Sequence, residues 1–423
     1  MSTRRYDIED KLLYLLFSAY MPLKEHRIGQ IIKEEGHKLN TLLTNPHRHN
    51  GFINGSFDDN DLMRNYEVID RWESLQDKSI KSMTWFMPAF INIHAGTNNI
   101  LHFIRYLLDK GIEVNIDLLE SRIGASYCCY LLDRSKEYSW LKKANIYKNP
   151  PIECLPYSDA GIATRCDTAY SLLKYNNTKS KFYLLQDDER LLYSEKSKQD
   201  LAEATYHFRF TGIATAPCLK RMYIDEFGGK AESYFSALGI EKPYVLTPKK
   251  QIRRLFFYAR PEPNNTRNGF LVGMEALREI RRRHSDLEIV TAGSDVKFND
   301  GGLGLKQLGY VPLDRLKDFY LSCDVGIYIL LSRHTGVIPF ELMATSVAVL
   351  TNKQPYSQDY LKHRENCVLF DLTPISIADA FDTLYENTDY YNTVIANGYK
   401  YISQAPSPED EMNRIFQFMS KGE

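Results

Sequence analysis

The stretch DVGIYILLSRHTGVIPFELMATSVAVLTN, residues 324–352, decides the fold. Asp324 to Leu331 is an apolar run of strand length, Ser332 to Gly336 is a polar loop, Val337 to Thr345 has helical spacing, and Val347 to Asn352 is strand-like again. A strand that is apolar on both faces is buried on both, and strand, helix, strand in this order is the repeating unit of a parallel sheet. The pattern continues outward. Arg254 to Tyr258 reads as a strand; Phe270, Met274, Leu277 and Ile280 form a helix face; Leu287 to Ala292 is a strand and Leu313 to Ser322 a helix.

A second series of the same kind precedes it. Met83 to Met87 is an apolar run, and the loop PAFINIHAGTNN follows. Ile100, Phe103, Ile104, Leu107 and Leu108 then share one helical face, Gly111 stops that helix, and Val114 to Leu118 is the next strand. Short strands are expected at Gly161 to Thr164, Lys181 to Leu185 and Gly212 to Ala216, with a helix from Pro217 to Gly228-Gly229. The segment EKPYVLTPKK, residues 241–250, has no period and reads as a linker. The fold class is therefore α/β, with two Rossmann-like doubly wound domains facing a cleft. The expected divisions are a mostly helical N-terminal extension at 1–80, a first Rossmann-like domain at 81–245, a second at 246–400 and a C-terminal helix at 401–423.

A chain of 423 residues exceeds what one core usually holds, which agrees with two domains. With 43% hydrophobic and 25% charged residues and a formal net charge of -1, the chain has no field suited to coating nucleic acid. It holds 29 Tyr and 21 Phe, rings that serve as core or line polar clefts where sugars stack. Seven cysteines without C-x-x-C spacing suit reduced thiols and a cytoplasmic protein. No uncharged apolar run approaches the roughly 18 residues of a membrane span, and the N-terminus does not read as a signal peptide. The extension is expected to pack on the catalytic core, with docking to a partner or a membrane surface as the alternatives.

Tandem doubly wound domains bind ligands between the carboxyl ends of their sheets. In residues 324–352 that end is the loop Ser332, Arg333, His334, Thr335, Gly336, followed by a helix start suited to a phosphate. Glu341, inside that helix, is placed to accept two ribose hydroxyl protons. Arg260 and Arg267, with Asn268, bracket the loop after the first strand of this half, where guanidinium groups can neutralise a leaving diphosphate. In the first half Gly96, Thr97 and Asn98 bring backbone toward the cleft, and Asp187, Asp188 and Arg190 in the QDDER run are candidates for acceptor contact or for a structural role. Asp59-Asn60-Asp61 and the pair His47 and His49 fall in a polar loop without further ligands, so no metal site is expected. Neither G-x-G-x-x-G nor the P-loop motif occurs.

Several segments carry a resemblance. FYARP with TRNGF, LGYVPLDRLKDFY, and PFELMATSVAVLTN resemble the C-terminal domain of retaining GT-B glycosyltransferases, and more closely the WsaF-like rhamnosyltransferase branch. MTWFMPAF, DTAYSLLKYNNTKSKFYLLQDDERLLYS, LAEATYHF and GIATAPCLK are similar to the same branch, so the likeness runs from about residue 83 to 400. It implies that Glu341 holds the donor ribose, that Arg260 contacts the diphosphate, that Ser332 to Gly336 lie against phosphates and sugar, and that Leu308, Gly309 and Tyr310 lie near the base. It further implies front-face transfer without metal or other cofactor, with a nucleotide-sugar donor and a glycan or lipid-linked glycan as acceptor. Other polysaccharide-assembly enzymes are the expected partners, and nucleic acid is not.

This sequence departs from the family pattern in three places. Arg333 replaces the first glutamate of the paired-glutamate motif, Tyr310 replaces a basic residue, and Ser346 and Ala348 replace the Gly and Pro after the helix. Arg267, Lys306 and Arg333 are the substitute cations. The leading expectation is a transferase for L-rhamnose from dTDP-L-rhamnose onto a bacterial surface polysaccharide. A transferase for another UDP- or GDP-sugar is one alternative, and a non-catalytic carbohydrate-binding scaffold of the same fold is the other.

Overall fold

Buried strands alternate with one-faced helices along the chain and assemble into two parallel sheets. The computed structural model describes residues 79–90, 95–119, 122–134, 137–236, 238–242, 244–261, 267–354, 356 and 359–421. The expected helical extension lies almost wholly outside the described residues, as do Asp59-Asn60-Asp61, His47 and His49.

The first sheet has seven strands: β1 (Ser82–Pro88), β2 (Glu113–Leu119), β3 (Asn145–Tyr147), β4 (Ser158–Ala163), β5 (Thr178–Leu185), β6 (Thr211–Ala214) and β7 (Ala231–Ser233). They lie in the order β3-β2-β1-β4-β5-β6-β7, every neighbouring pair parallel. The helices α1 (Ala95–Asp109), α2 (Arg122–Arg134), α3 (Cys166–Lys174), α4 (Lys196–Tyr206) and α5 (Pro217–Phe227) connect them. The face predicted for α1 is the buried one: Ile100, Phe103, Ile104 and Leu107 join Trp85 of β1 in one core. Helix α5 has Pro217 in its first turn and Gly228 in the left-handed conformation at its end, a start and a stop that the sequence makes legible.

The second sheet has six strands: β8 (Arg254–Tyr258), β9 (Glu288–Ala292), β10 (Lys306–Gln307), β11 (Val325–Tyr328), β12 (Ala348–Asn352) and β13 (Val368–Phe370). Their order is β10-β9-β8-β11-β12-β13, again parallel throughout. Its helices are α6 (Phe270–Arg283), α7 (Leu313–Leu321), α8 (Ile338–Ala344), α9 (Pro374–Tyr385) and α10 (Thr388–Ser403). Gly273 breaks the helical preference of α6 for a packing reason: a Cβ there would lie 2.3 Å from the Phe257 ring, so only glycine lets the helix sit on β8. Strands β3, β7, β10 and β13 do not appear in the sequence reading. Each has two or three residues at or next to a sheet edge, too few to show a period.

The chain crosses between the sheets twice. The segment after β7 runs along the second domain: Val245 N–H donates to Ala344 O at 3.0 Å, Thr247 N–H to Ser346 Oγ at 2.8 Å, and Ser346 Oγ to Val245 O at 2.6 Å. Ser346 has φ +59°, the left-handed region that favours glycine, and these two hydroxyl contacts compensate its backbone strain. After α10 the chain returns, and α11 (Pro408–Lys421) packs on the first domain. Met412, Ile415 and Met419 enter the core that holds Trp85, and Tyr106 Oη donates to Asn413 Oδ1 at 2.7 Å.

Candidate functional site between the two sheets

Three loops at strand carboxyl ends meet across the domain boundary: the one after β5 from the first domain, and those after β8 and β11 from the second. The last two are joined, because Leu331 N–H donates to Arg267 O at 2.6 Å and Asn268 forms a β-bridge with Leu330. Asn352, at the end of β12, brackets Leu330 from the other side, accepting from its N–H at 3.0 Å and donating to its carbonyl at 3.1 Å. Backbone pairing thus places Arg267 and Ser332 side by side.

The helix start expected to take a phosphate is weaker than its sequence suggests. Helix α8 has seven residues, Pro339 has no N–H, and the amides of Phe340 and Glu341 both donate to Val337 O. Gly336 N–H donates to His334 Nδ1 at 2.9 Å. Its φ is +68° and a Cβ there would lie 2.3 Å from the Tyr328 hydroxyl, so the position requires a glycine. So short a helix has little macrodipole, and the positive character of the site comes from side chains.

Arg267 forms an ion pair with Asp187 of the first domain, Ser332 Oγ donates to the same carboxylate, and His334 Nε2 lies 3.4 Å from it. With Nδ1 accepting from Gly336, the imidazole carries its proton on Nε2 and faces Asp187 as a donor. Burial works against the Asp187 charge, yet His334, Arg267 and Ser332 outweigh it and hold this carboxyl well below the usual range. Asp188 binds Arg333 Nε at 3.0 Å and Arg190 Nε at 2.8 Å, and Arg333 also pairs with Glu226. Arg190 is enclosed by Asp188, Glu203 and Glu226. The QDDER run therefore meets the opposite domain through Asp187 and Asp188, where the sequence suggested acceptor contact. Glu226, the partner of Arg333, is missed by sequence reading because nothing in α5 marks it.

Arg260 is half-buried at the end of β8. Burial pushes the Tyr328 phenol up, while Arg267 and Arg260 both pull the other way, so both guanidinium groups lie within electrostatic reach of that hydroxyl. Tyr258 and Tyr328 pack with ring centroids 5.5 Å apart and planes tilted by 52°. Beyond them Glu341, 3% exposed, accepts from Gly239 N–H at 2.7 Å and from Tyr320 Oη at 2.9 Å. Burial raises its pKa, opposed by those two bonds. The glutamate thus ties the interdomain crossing to α7 and α8, a role its position in the sequence does not announce. Gly309 accepts from Gly293 N–H at 3.0 Å, and Tyr310 N–H donates to Asp295 at 2.8 Å. The side chains of Leu308 and Tyr310 are exposed at the rim. Lys306 pairs with Glu288 of the neighbouring strand β9.

In the first domain Gly96, Thr97 and Asn98 form the first turn of α1, the latter two buried. The neighbouring Asn99 is the residue that reaches across. Its Nδ2 donates to Tyr234 Oη at 2.7 Å and lies 3.4 Å from Gln186 Oε1, while its buried Oδ1 has no partner among the described residues. A cavity of about 400 Å³ lies elsewhere, at the two crossings, lined by Phe235, Tyr360, Tyr401 and Arg414 among others. Its lining includes none of Arg260, Arg267, Arg333 or Glu341, so it lies apart from the three loops. Among the described residues no group of three His, Cys, Asp or Glu side chains is placed to hold a metal ion. No helix among them is long and apolar enough to cross a membrane.

Residues 253–382 match the family model of the WsaF C-terminal domain. The O-antigen biosynthesis protein RfbC of Myxococcus xanthus is 27% identical over 358 residues, covering 80% of this chain and 27% of that protein, so the chain spans about a quarter of that curated relative. Among solved structures, Anabaena Alr3699/HepE in complex with UDP and glucose matches with a TM-score of 0.59 at 13% identity, over 81% of this chain and 100% of the other. A glycosyltransferase from Rickettsia africae gives 0.60 at 12%, over 82% and 100%, and sucrose-phosphate synthase from Thermosynechococcus elongatus gives 0.58 at 11%, over 80% and 98%. The second of two parallel-sheet domains thus matches the WsaF C-terminal domain over residues 253–382, and the described chain shares the two-domain fold of the glycosyltransferase from Rickettsia africae.

Proposed function

We propose that the chain transfers a sugar from a nucleotide diphosphate to a glycan of the bacterial surface, and that the sugar is L-rhamnose carried on dTDP. The observation that carries this reading is the placement of Arg267 and Ser332 side by side in the loops after β8 and β11, with Arg260 at the end of β8, the packed rings of Tyr258 and Tyr328, and Glu341 buried behind them on Tyr320. Guanidinium groups match phosphate oxygens in charge and geometry, and rings flanked by a carboxylate suit a nucleoside. HepE, of the same fold, was solved with UDP and glucose, and RfbC acts in O-antigen biosynthesis; both support a nucleotide-sugar donor and a polysaccharide product.

The mechanism proposed is retaining and metal-independent. The leaving diphosphate takes the acceptor hydroxyl's proton on the same face while Arg260 and Arg267 stabilise the charge that develops. The enzyme would act in the cytoplasm, on a glycan or lipid-linked glycan, alongside other assembly enzymes and with peripheral contact at the membrane. Incubation with dTDP-L-rhamnose, UDP-glucose and GDP-mannose, with products read by NMR for anomeric configuration, tests donor and stereochemistry together. Turnover is expected to survive EDTA; loss restored by manganese would overturn the metal-independent step. Glu341→Ala is expected to weaken nucleotide binding about tenfold, roughly 1.4 kcal/mol for one or two charge-assisted hydrogen bonds. Unchanged affinity by calorimetry would remove Glu341 from the site.

A non-catalytic scaffold is the second reading, favoured by the ion pairs that Arg267 and Arg333 already make with the first domain. It predicts no turnover of any donor and no rise in melting temperature with nucleotide.

A further inference from the structure

The donor site proposed above faces an anion that the protein itself supplies. Arg267, Ser332 and His334 belong to the second domain, and all three address one carboxylate of the first, Asp187, which is 5% exposed. A guanidinium, a hydroxyl and an imidazole N–H around two oxygens form the donor set that a phosphate group would take. Asp187 is held from behind as well. Asp188 N–H donates to Asp187 Oδ1 at 2.8 Å, and Glu189 N–H donates to Tyr206 Oη at 2.8 Å. Asp188 and Glu226 extend the contact to Arg333, so the loop after β5 presents two carboxylates, and α5 a third, to the basic loop after β11.

We propose that Asp187 is a positioning residue that occupies the diphosphate place from the opposite domain and is displaced when a nucleotide diphosphate binds. The inference rests on the nucleotide-sugar reading. Two anions compete for the same three donors, so donor binding and the Asp187 contact exclude each other, and the bound donor frees the loop after β5 for the acceptor side of the cleft. Unspent donor cations are thereby never left unpaired in a buried setting.

The test is calorimetric titration of dTDP and UDP into the full chain and into Asp187→Asn. Removing the competing charge is expected to tighten nucleotide binding about tenfold, a change that mere structural damage would not produce. Unchanged or weaker binding in a folded variant would overturn the proposal, the weaker result meaning that Asp187 helps to hold the ligand. If nucleotide binds neither protein, the donor-site reading fails and this inference with it; if it binds the natural chain alone, or both equally, only this inference fails. Hydrogen exchange on the natural chain gives a second readout that needs no variant. Saturating dTDP or UDP is expected to speed exchange at the amides of Asp188 and Glu189, and slower or unaltered exchange there would also overturn it.

Discussion

Arg260→Ala is expected to lower sugar transfer at least about 100-fold while leaving the melting temperature nearly unchanged. The argument begins with position. Arg260 follows β8, whose strand is fixed between β9 and β11, and Ala259 N–H donates to Ala292 O at 2.9 Å, so the backbone just before the arginine is held by the sheet. The guanidinium lies in electrostatic reach of the Tyr328 hydroxyl together with Arg267, but it is half-buried rather than part of the core. In a site that excludes water, one cationic donor aimed at a leaving group commonly contributes a factor of about 10² to 10³ in rate. The loss should appear in kcat, because charge on the leaving diphosphate grows only as the glycosidic bond breaks. Single-turnover rates with the best donor provide the measurement. A variant within threefold of the natural rate would dismiss Arg260 from the chemistry, and a fall in KM-dependent binding alone would assign it to uniform binding of the phosphates.

The two-domain α/β architecture was legible because its strongest signals are local and repeated. A buried parallel strand needs apolar residues on both faces, and the runs Met83 to Met87 and Asp324 to Leu331 have them. Helix α1 is visible through the spacing of Ile100, Phe103, Ile104 and Leu107, and α5 through Pro217 and Gly228. Edge strands left no trace, because two or three residues carry no period. The site was legible only in outline. Loops at strand ends could be named in advance, yet partners within them depend on how the two domains face one another. Four charges in QDDER look alike in sequence. The fold sends Asp187 and Asp188 to the opposite domain, Glu189 into the core beneath them and Arg190 into a ring of three carboxylates. Glu341 reads as a ligand-facing carboxylate, and its bonds to Gly239 and Tyr320 could not be foreseen, because the crossing that packs against it is distant in the chain. The helix start offers a phosphate less than its sequence suggests for a local reason: Pro339 lacks an N–H and seven residues build little dipole.

Glu189→Gln is expected to change the pH dependence of folding by about 3 kcal/mol between pH 5 and 8. Glu189 is 3% exposed and accepts from Cys166 N–H at 2.5 Å and from Tyr183 Oη at 2.9 Å. Burial outweighs those bonds and pushes its carboxyl from 4.5 up to about 7. The folded chain therefore keeps a proton that the unfolded chain has lost over the intervening range. The stability this contributes is complete below about pH 4.5 and is lost as pH rises through 7. A shift of this size corresponds to about 3 kcal/mol at about 1.4 kcal/mol for each pKa unit. Glutamine removes the titration and keeps the shape. Its amide can accept at only one of the two sites, a pH-independent loss of about 1 kcal/mol. Asp117, also raised to about 7, and Lys181, lowered to about 6, titrate in the same range, but both are present in either protein and cancel in the difference. Asp187 stays ionised throughout. Urea unfolding of the two proteins at pH 5, 6, 7 and 8 should give curves that converge or cross as pH rises, with the variant gaining on the natural chain. Parallel curves would mean that Glu189 is ionised in the fold, with its charge balanced from Cys166 and Tyr183. Because Asp187 and Asp188 are carried on the turn that Glu189 anchors, the same range of pH should loosen their grip on Arg267 and Arg333.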